Sequence, residues 1–245
     1  MKKISTLLAA CALLLLPSCR FIRFSEDFDF DGGVNVVGMG DSGSRDAISA
    51  SNNYITRNDV TGEFHSLTCN VPGDVQYVPG ECAVSLYGAD NILSHVTVQN
   101  ENGTLVIKSD GTTFRNIKTF KVNVSSPVLE KADFNGAVDF SAPKGITALD
   151  FALQINGAGD IDIQGLAADK ASVTVNGAGD ARITGIDCET LSVDINGAGD
   201  ATVAGRATKA SLQVSGAGDI DATALECSDI ESKVRGIGRV EKPKS

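Results

Sequence analysis

The sequence predicts an all-β protein that folds as a single-stranded parallel β-helix, with about 20 residues per turn in its C-terminal half. Two observations lead to this prediction. A glycine-rich motif recurs at a nearly fixed interval, and the short runs between its copies alternate apolar and polar residues. A regular interval of this length indicates stacked repeating units, and the alternation is typical of half-buried strands.

The motif Asn-Gly-Ala-Gly-Asp sets the repeat. Intervals of 20, 20 and 19 residues separate four copies, which end at Asp160, Asp180, Asp200 and Asp219, and the fourth has Ser215 in place of the asparagine. Degenerate copies occupy residues 135–139 and 235–238. Because 20 residues leave no room for a crossover helix, we expect successive turns to pair in parallel. Such turns stack at about 4.8 Å, the spacing of neighbouring strands.

The alternation between the copies assigns side chains to the inside and the outside of the coil. The expected inward set is Val173, Val175, Ala181, Ile183, Ile186, Cys188 and Leu191. The expected outward set is Thr174, Arg182, Thr184 and Glu189. Arg182 would then project beside Asp162 of the preceding turn and offset part of the negative charge there.

The upstream region follows the repeat only in part. Residues 70–74 carry Asn and Asp at the spacing of the motif, which predicts an earlier turn in the same register. Residues 85–126 lack the repeat, and we expect wider turns there with a hairpin at 100–103. Sequence therefore defines the register best in the C-terminal half.

The motif itself has three candidate roles. A phosphate cradle needs glycines between a strand and a helix, and no helix pattern follows Gly159 or Gly179. Calcium-binding repeats are also glycine- and aspartate-rich, but they recur every nine residues and supply six to eight oxygens per ion. A repeated corner of the coil is the interpretation we favour, while calcium binding by the aspartates stays open.

A corner gives each residue of the motif a structural task. Glycine permits the close approach of stacked turns, and we expect the motif alanines Ala158, Ala178, Ala198 and Ala217 to point inward. The asparagines should stack as a side-chain amide ladder formed by Asn135, Asn156, Asn176 and Asn196. The aspartates should bond nearby backbone amides as in Asx turns, and they are Asp139, Asp160, Asp180, Asp200 and Asp219.

The N-terminus predicts a lipid anchor. Two lysines and an apolar run at 7–16 have the form of a secretory signal, and the run ends in Leu-Pro-Ser-Cys at Cys19. This ending resembles a lipobox, in which cleavage precedes an acylated cysteine. We therefore expect a signal peptide at 1–18, lipidation of Cys19 and a membrane partner reached through that lipid. Arg20 follows the cysteine where an aspartate would favour inner-membrane retention, so the outer membrane is expected.

The remaining chain divides into three parts. Residues 19–53 are expected to form a flexible tether, because Gly, Ser, Asp and Asn dominate after Cys19. Residues 54–240 are expected to form the β-helix domain, and 241–245 a short tail. The formal net charge of −10 argues against nucleic acid as a partner. The chain has no Trp and only 3 Tyr, so few aromatic rings are present on which a sugar or a nucleotide could stack.

Four cysteines lie beyond the anchor. Cys188 and Cys227 each follow a motif aspartate by eight residues, with one turn between them. Two steps of 4.8 Å separate their Cα atoms by about 9.6 Å, beyond the reach of a disulfide at about 7 Å. We expect both to face inward as buried free thiols that act as small apolar residues. A bridge between Cys69 and Cys82 stays open, since both would lie within one turn.

Several motifs together resemble a known family. Residues 64–67, 85–93 and 102–107, followed by the Asn-Gly-Ala-Gly-Asp series, are similar to the head GIN domain family, whose members are termed auto-transporter adhesins and are commonly bacterial lipoproteins. The resemblance covers about residues 54–240. It implies a right-handed parallel β-helix and an adhesive role, and it assigns no catalytic residue.

We accordingly expect a binding protein rather than an enzyme. His65 and His95 lie in different turns with no nucleophile spacing nearby, and the short turns after Asn135 leave no long loops to wall a catalytic cleft. The expected role is an adhesive or protein-binding module with a protein or glycan ligand and no cofactor. A periplasm-facing scaffolding lipoprotein is the alternative, and a carbohydrate-active enzyme is a weaker one. The sequence leaves open which membrane leaflet carries the domain.

Overall fold

The structure, a computed structural model, describes residues 47–243 and is built almost entirely of strands. One short helix, α1, spans Asp90–Leu93. The strands are β1 Ile48–Ser49, β2 Tyr54–Asp59, β3 Ser66–Asn70, β4 Gly73–Pro79, β5 Ala83–Ala89, β6 Val96–Glu101, β7 Thr104–Ser109, β8 Phe114–Arg115, β9 Lys121–Ser126, β10 Lys131–Ala142, β11 Ile146–Thr147, β12 Asp150–Ala158, β13 Ile161–Ala178, β14 Ala181–Ala198, β15 Ala201–Ala217, β16 Ile220–Glu226, β17 Asp229–Ile237 and β18 Val240–Glu241.

The C-terminal half is the predicted β-helix. β13 pairs in parallel with β14 along nearly its whole length, and each residue lies beside the one 20 positions later. β14 pairs in the same way with β15, where a bulge between Ile183 and Ile186 shortens the offset to 19. About six turns stack in this manner. The predicted fold class is confirmed, and each turn is called a rung below.

The earlier rung at residues 70–74 lies where the spacing places it. β10 pairs with β3 on one side of the corner and with β4 on the other, so that Val138 aligns with Gly73 and Asp139 with Asp74. The register prediction for this segment is confirmed. The chain thus leaves the stack after β4 and returns to it directly above at β10.

The segment between β4 and β10 forms the N-terminal end. β6 and β7 make an antiparallel hairpin, and both turn residues, Asn102 and Gly103, have positive φ as tight hairpins require. This agrees with the hairpin expected at 100–103. β5 runs antiparallel to β2 and β9, an arrangement that the sequence analysis did not predict. β1 pairs in parallel with β8.

The interior of the coil is a continuous apolar core. All seven residues predicted to face inward are buried, at 7% exposure or less, and the predicted outward residues are exposed or half-buried. Large aromatic side chains fill the N-terminal rungs, where Phe134 and Phe140 lie 5.0 Å apart between ring centroids. Val, Ile, Leu and Ala fill the later rungs. The side-chain alternation is confirmed.

Glycine is required at the corner because successive backbones touch there. Gly177 has φ of +145°, and a Cβ on it would lie 1.8 Å from the carbonyl oxygen of Gly157 in the rung below. Gly179 is equally close to the carbonyl oxygen of Gly159 in the same rung below, at 2.0 Å. No L side chain fits such spaces. Within residues 47–243, no helix is long and apolar enough to cross a membrane.

Glycine is required at the corner both for its positive φ and because a Cβ would overlap the rung below. Mutation can separate these two causes. Gly136 has φ of +119° but open space where a Cβ would stand. Gly136→Ala should therefore cost only backbone strain, about 1–3 kcal/mol. Gly177→Ala adds the overlap with the carbonyl of Gly157 and should cost more than about 4 kcal/mol. Urea unfolding of both variants gives the comparison, and equal losses would contradict close stacking at Gly177.

Candidate functional site

Two columns of polar side chains follow the glycine corner along the solenoid. The first is an amide ladder in which each asparagine donates Nδ2–H to Oδ1 of the asparagine one rung earlier. The donor–acceptor distances are 2.7, 3.0, 2.9 and 3.0 Å, and the ladder contains Asn70, Asn135, Asn156, Asn176 and Asn196. Asn70 extends the four asparagines singled out from the sequence. Each amide between the two ends of the ladder thus both donates and accepts.

The second column contains six carboxylates. In each step, Oδ1 of one aspartate accepts the backbone N–H of the aspartate in the next rung at 2.8–2.9 Å, through Asp139, Asp160, Asp180, Asp200 and Asp219. Asp74 aligns with Asp139 at the start of the column. The expectation of local Asx-turn bonds was wrong, because the amide that each carboxylate accepts lies 19–21 residues ahead in sequence.

A cation lies at each end of this carboxylate column. Lys121 aligns with Asp74 on the neighbouring strand β9. At the other end, the backbone N–H of Arg239 donates to Asp219 Oδ1 at 2.9 Å, and Arg239 Nη2 lies 3.4 Å from Asp219 Oδ2. Sequence analysis missed both cations. Arg239 follows Asp219 by 20 residues, so continuing the period by one more step would have found it.

The surroundings of the two carboxylates at the start of the column disfavour their ionised forms. Burial raises the pKa of Asp74, the negative charge of Asp139 raises it further, and Lys121 partly lowers it. Burial likewise raises the pKa of Asp139, while the hydrogen bond from the Asp160 amide lowers it and the Asp160 charge raises it. Ionisation of these two groups therefore costs the folded state free energy.

The alanines of the motif do not fill the corner from inside. Ala158, Ala178, Ala198 and Ala217 are all exposed, so the expectation that they point inward was wrong. The extended positive-φ glycines on either side of each alanine turn its methyl group toward solvent. The corner therefore presents a narrow, smooth ridge of methyl groups between the amide and carboxylate columns.

A second glycine corner was not recognised in the sequence. Gly145, Gly165, Gly185 and Gly205 all have positive φ and mark the bend between the second and third strand segments of each rung. Their spacing of 20 residues was visible. Their neighbours vary from rung to rung, so no motif drew attention to them.

The cysteines follow the predicted register. Cys188 aligns with Ala207 in the next rung, and Arg206 aligns with Glu226 in the rung after that, so Cys227 lies two rungs from Cys188. Cys188 is buried, whereas Cys227 is only half-buried at the end of the core. Cys69 and Cys82 are also free thiols. Burial raises the pKa of Cys69 to about 11, which makes it unreactive as a nucleophile.

The two histidines each contact a carboxylate at the surface. His65 Nδ1 lies 2.9 Å from Glu130 Oε2, and His95 Nδ1 lies 2.8 Å from Asp110 Oδ2. Thr112 Oγ1 is 3.3 Å from the same Nδ1 of His95. A nucleophile relay needs the carboxylate and the hydroxyl on opposite ring nitrogens, so this cluster lacks that geometry.

A small cleft lies beside this cluster. It has a volume of about 210 Å³ and is lined by Val71, Pro72, Ser109, Thr112, Phe114, Asn116 and Ile117. Hydrogen bonds from Thr112 and then from His95 lower the pKa of Asp110 to about 2, so this exposed carboxyl stays ionised. The cleft is smaller than the usual range of ligand pockets, about 300–1,000 Å³.

The aspartate column offers a cation little more than its free Oδ2 atoms. One oxygen of each carboxylate in the later rungs already accepts a backbone amide. Arg182 and Asp162 align in adjacent rungs as expected, but Asp162 Oδ1 is buried without a hydrogen-bond partner in the described chain. Within residues 47–243, no three Asp, Glu, His or Cys side chains are arranged to hold a metal ion.

The chain that forms these stacked corners matches a family model described as "Putative auto-transporter adhesin, head GIN domain", over residues 63–186 and 164–242. The chain belongs to this family. The two matches to the head GIN domain overlap at residues 164–186. The family description names an adhesin and no enzyme. The sequence matches no curated protein.

Solved structures share the fold of this head GIN domain. A putative adhesin from Bacteroides fragilis is 24% identical with a TM-score of 0.66, and the likeness covers 80% of this chain and 100% of that one. A putative lipid binding protein from Parabacteroides distasonis is 16% identical with a TM-score of 0.65 and the same coverage. At identities below 25%, these likenesses show a shared fold and nothing more.

The hydrogen bonds of the aspartate column predict that folding is independent of calcium. The melting temperature should stay within about 2 °C when a chelator or millimolar calcium is added, because an ion that binds only the folded state would raise it by linkage. Magnesium serves as the matched control for ionic strength. A rise of many degrees with calcium alone would contradict this assignment of the column.

The raised pKa of Asp139 gives a prediction with a defined pH dependence. Asp139→Asn keeps an Oδ1 acceptor for the Asp160 amide and removes the charge that burial penalises, so it should be more stable than wild type at neutral pH. Below the ordinary carboxyl pKa of 3.8 the wild-type group is protonated as well, so the difference should vanish.

Asp139→Ala is the matched control, because it removes the charge together with the acceptor. It should lower the free energy of unfolding by about 1 kcal/mol, the cost of an unpaired amide. Urea unfolding across pH measures all three proteins. An Asn variant that is no more stable than the Ala variant would show that the Oδ1 acceptor has no role.

Proposed function

We propose that this head GIN domain protein is a lipoprotein of the bacterial outer membrane that presents its β-helix as an adhesive or protein-binding module. The observation that carries the proposal is the family match, which spans residues 63–242 and describes an adhesin. The anchor rests on the sequence around Cys19, which lies outside the described residues. The ligand class proposed is a protein or a glycan.

The shape of the solenoid supports binding over a broad surface. The outward side chains of β13–β15 include one column of small polar residues, in which Ser172, Ser192 and Ser211 are aligned on successive rungs. This column has no long side chains to order on contact, which keeps the entropic cost of binding along it low. A ligand would meet the same groups repeatedly at about 4.8 Å intervals.

The described residues give less support to catalysis. The His95–Asp110–Thr112 cluster lacks relay geometry. The corner carboxylates from Asp139 to Asp219 each have one oxygen that accepts a backbone amide of the next rung. General acid–base work needs positioned groups that can exchange protons with a substrate. A binding role uses the repeated surface as it stands.

Anchoring through Cys19 can be tested by Cys19→Ser. Two or more acyl chains give stable membrane attachment where one is marginal, so the variant should appear in the soluble fraction or remain unprocessed. Cys11→Ser is the matched control, because this cysteine lies in the predicted signal peptide and should leave the mature protein unchanged. Unaltered size and detergent partitioning of the Cys19 variant would contradict the anchor.

Display on the cell surface can be tested with the exposed Ser211. Ser211→Cys should react with a membrane-impermeant maleimide on intact cells, and wild type measures the background from Cys227. Labelling that appears only after the outer membrane is opened would refute the adhesin role and support a periplasm-facing scaffold.

A further inference from the structure

The C-terminal end of the solenoid exposes an open strand edge. β17 pairs with β15 along one side, and no described strand covers its other side. The core is also open there, since Val234 is 39% exposed and Ile237 82% exposed. Uncovered strand edges of this kind can pair with another chain.

The backbone register shows which residues of β17 present hydrogen-bonding groups outward. The Lys170 N–H points back to Leu149 of the preceding rung, and the register carries Lys170 to Asp229 of β17. Because direction alternates along a strand, Ile230, Ser232 and Val234 face the open edge. Lys242 Nζ donates to the Ile230 carbonyl at 3.1 Å, as expected for an outward-facing group.

The side chains of β17 are antisymmetric in charge about Ser232. The segment reads Asp-Ile-Glu-Ser-Lys-Val-Arg from Asp229 to Arg235. Counting outward from Ser232, Glu matches Lys, Ile matches Val, and Asp matches Arg. None of the four charged residues forms an ion pair within the described part of the chain. The charge pattern of β17 is therefore complementary to that of a second β17 that runs in the opposite direction.

We propose that β17 pairs antiparallel with β17 of a second copy about a two-fold axis at Ser232, forming a tail-to-tail dimer. This register places Asp229 opposite Arg235 of the other copy and Glu231 opposite Lys233. Directly opposite residues of antiparallel strands share a face at about 4.5–5.5 Å. All four charge pairs across the axis are then of opposite sign.

The backbone groups fit the same register. Ser232 would face its own equivalent, and Ile230 would face Val234, as hydrogen-bonded pairs that exchange both N–H···O bonds. These three residues are the ones whose backbone groups face the open edge. Lys242 would leave the Ile230 carbonyl or share it. Ile230 and Val234 of both copies would close the open end of the core.

Other registers and occupants fit less well. An axis at Lys233 would place two lysines opposite each other and Ser232 opposite Val234, which loses the apolar pair and adds repulsion. A strand from a different protein would need its own matching order of four charges. The second copy supplies that order by symmetry.

Disulfide trapping in membranes from cells that produce the full chain tests the register. Ser232→Cys should give a covalent dimer with a mild oxidant, since hydrogen-bonded antiparallel partners have Cα atoms about 5.5 Å apart, within the disulfide range. Ser228→Cys is the matched control. Its two copies would lie about 27 Å apart, eight residues along the strands, and should stay at the wild-type background.

Charge reversal tests the partner. Glu231→Lys or Lys233→Glu alone places like charges opposite and should lower trapping of the Ser232→Cys dimer about tenfold. The double reversal restores opposite pairs and should restore trapping. Trapping of Ser232→Cys no greater than that of Ser228→Cys, trapping insensitive to either reversal, or a disulfide to a different protein would overturn the proposal.

Discussion

The contact of glycine backbones at the corner is the constraint on which the rest of the structure depends. A Cβ at Gly177 or Gly197 would lie within 1.9 Å of a carbonyl oxygen in the rung below. Backbone segments can approach this closely only if the residue of the later rung is glycine, as at Gly159 over Val138, so a slip of one residue would put Ala178 into the contact. The corner therefore fixes the register for every strand attached to it, including which side chains enter the core.

Strict register also stacks identical residues, with opposite consequences in the two polar columns. The asparagine amide both donates and accepts, so its column is self-complementary. Ionised carboxylates about 5 Å apart repel by about 1 kcal/mol in water and about 3 kcal/mol at an effective dielectric of 20. A hydrogen bond to a charged acceptor contributes about 1.5–3 kcal/mol, so the amide accepted by each Oδ1 offsets this repulsion. Arg239 then ends the column with a compensating charge.

The features that follow from the 20-residue repeat could be predicted from the sequence. Features without a repeat, and contacts between residues far apart in the chain, could not. The interval of 20 residues was sufficient to place the inward side chains and the isolated rung at 70–74, because each follows from register alone. The antiparallel strand β5 has no repeat to define it. The amide that Asp160 accepts lies in the next rung, and the outward turn of Ala178 follows from the φ angles of its glycine neighbours. Local turn rules do not describe the bond between Asp160 and the next rung.

The last rung keeps the backbone of the repeat while changing its side chains. Gly236 and Gly238 still stack on the glycines below, so β17 keeps the register of the preceding rung. Arg235 aligns with Ser215, and Ser232 aligns with the buried Leu212 of the preceding rung. Charges of both signs on an edge oppose most strand additions. An antiparallel copy of the same edge meets each charge with its opposite, and pairing consumes both edges, so assembly would close at two copies rather than continue as a fibre.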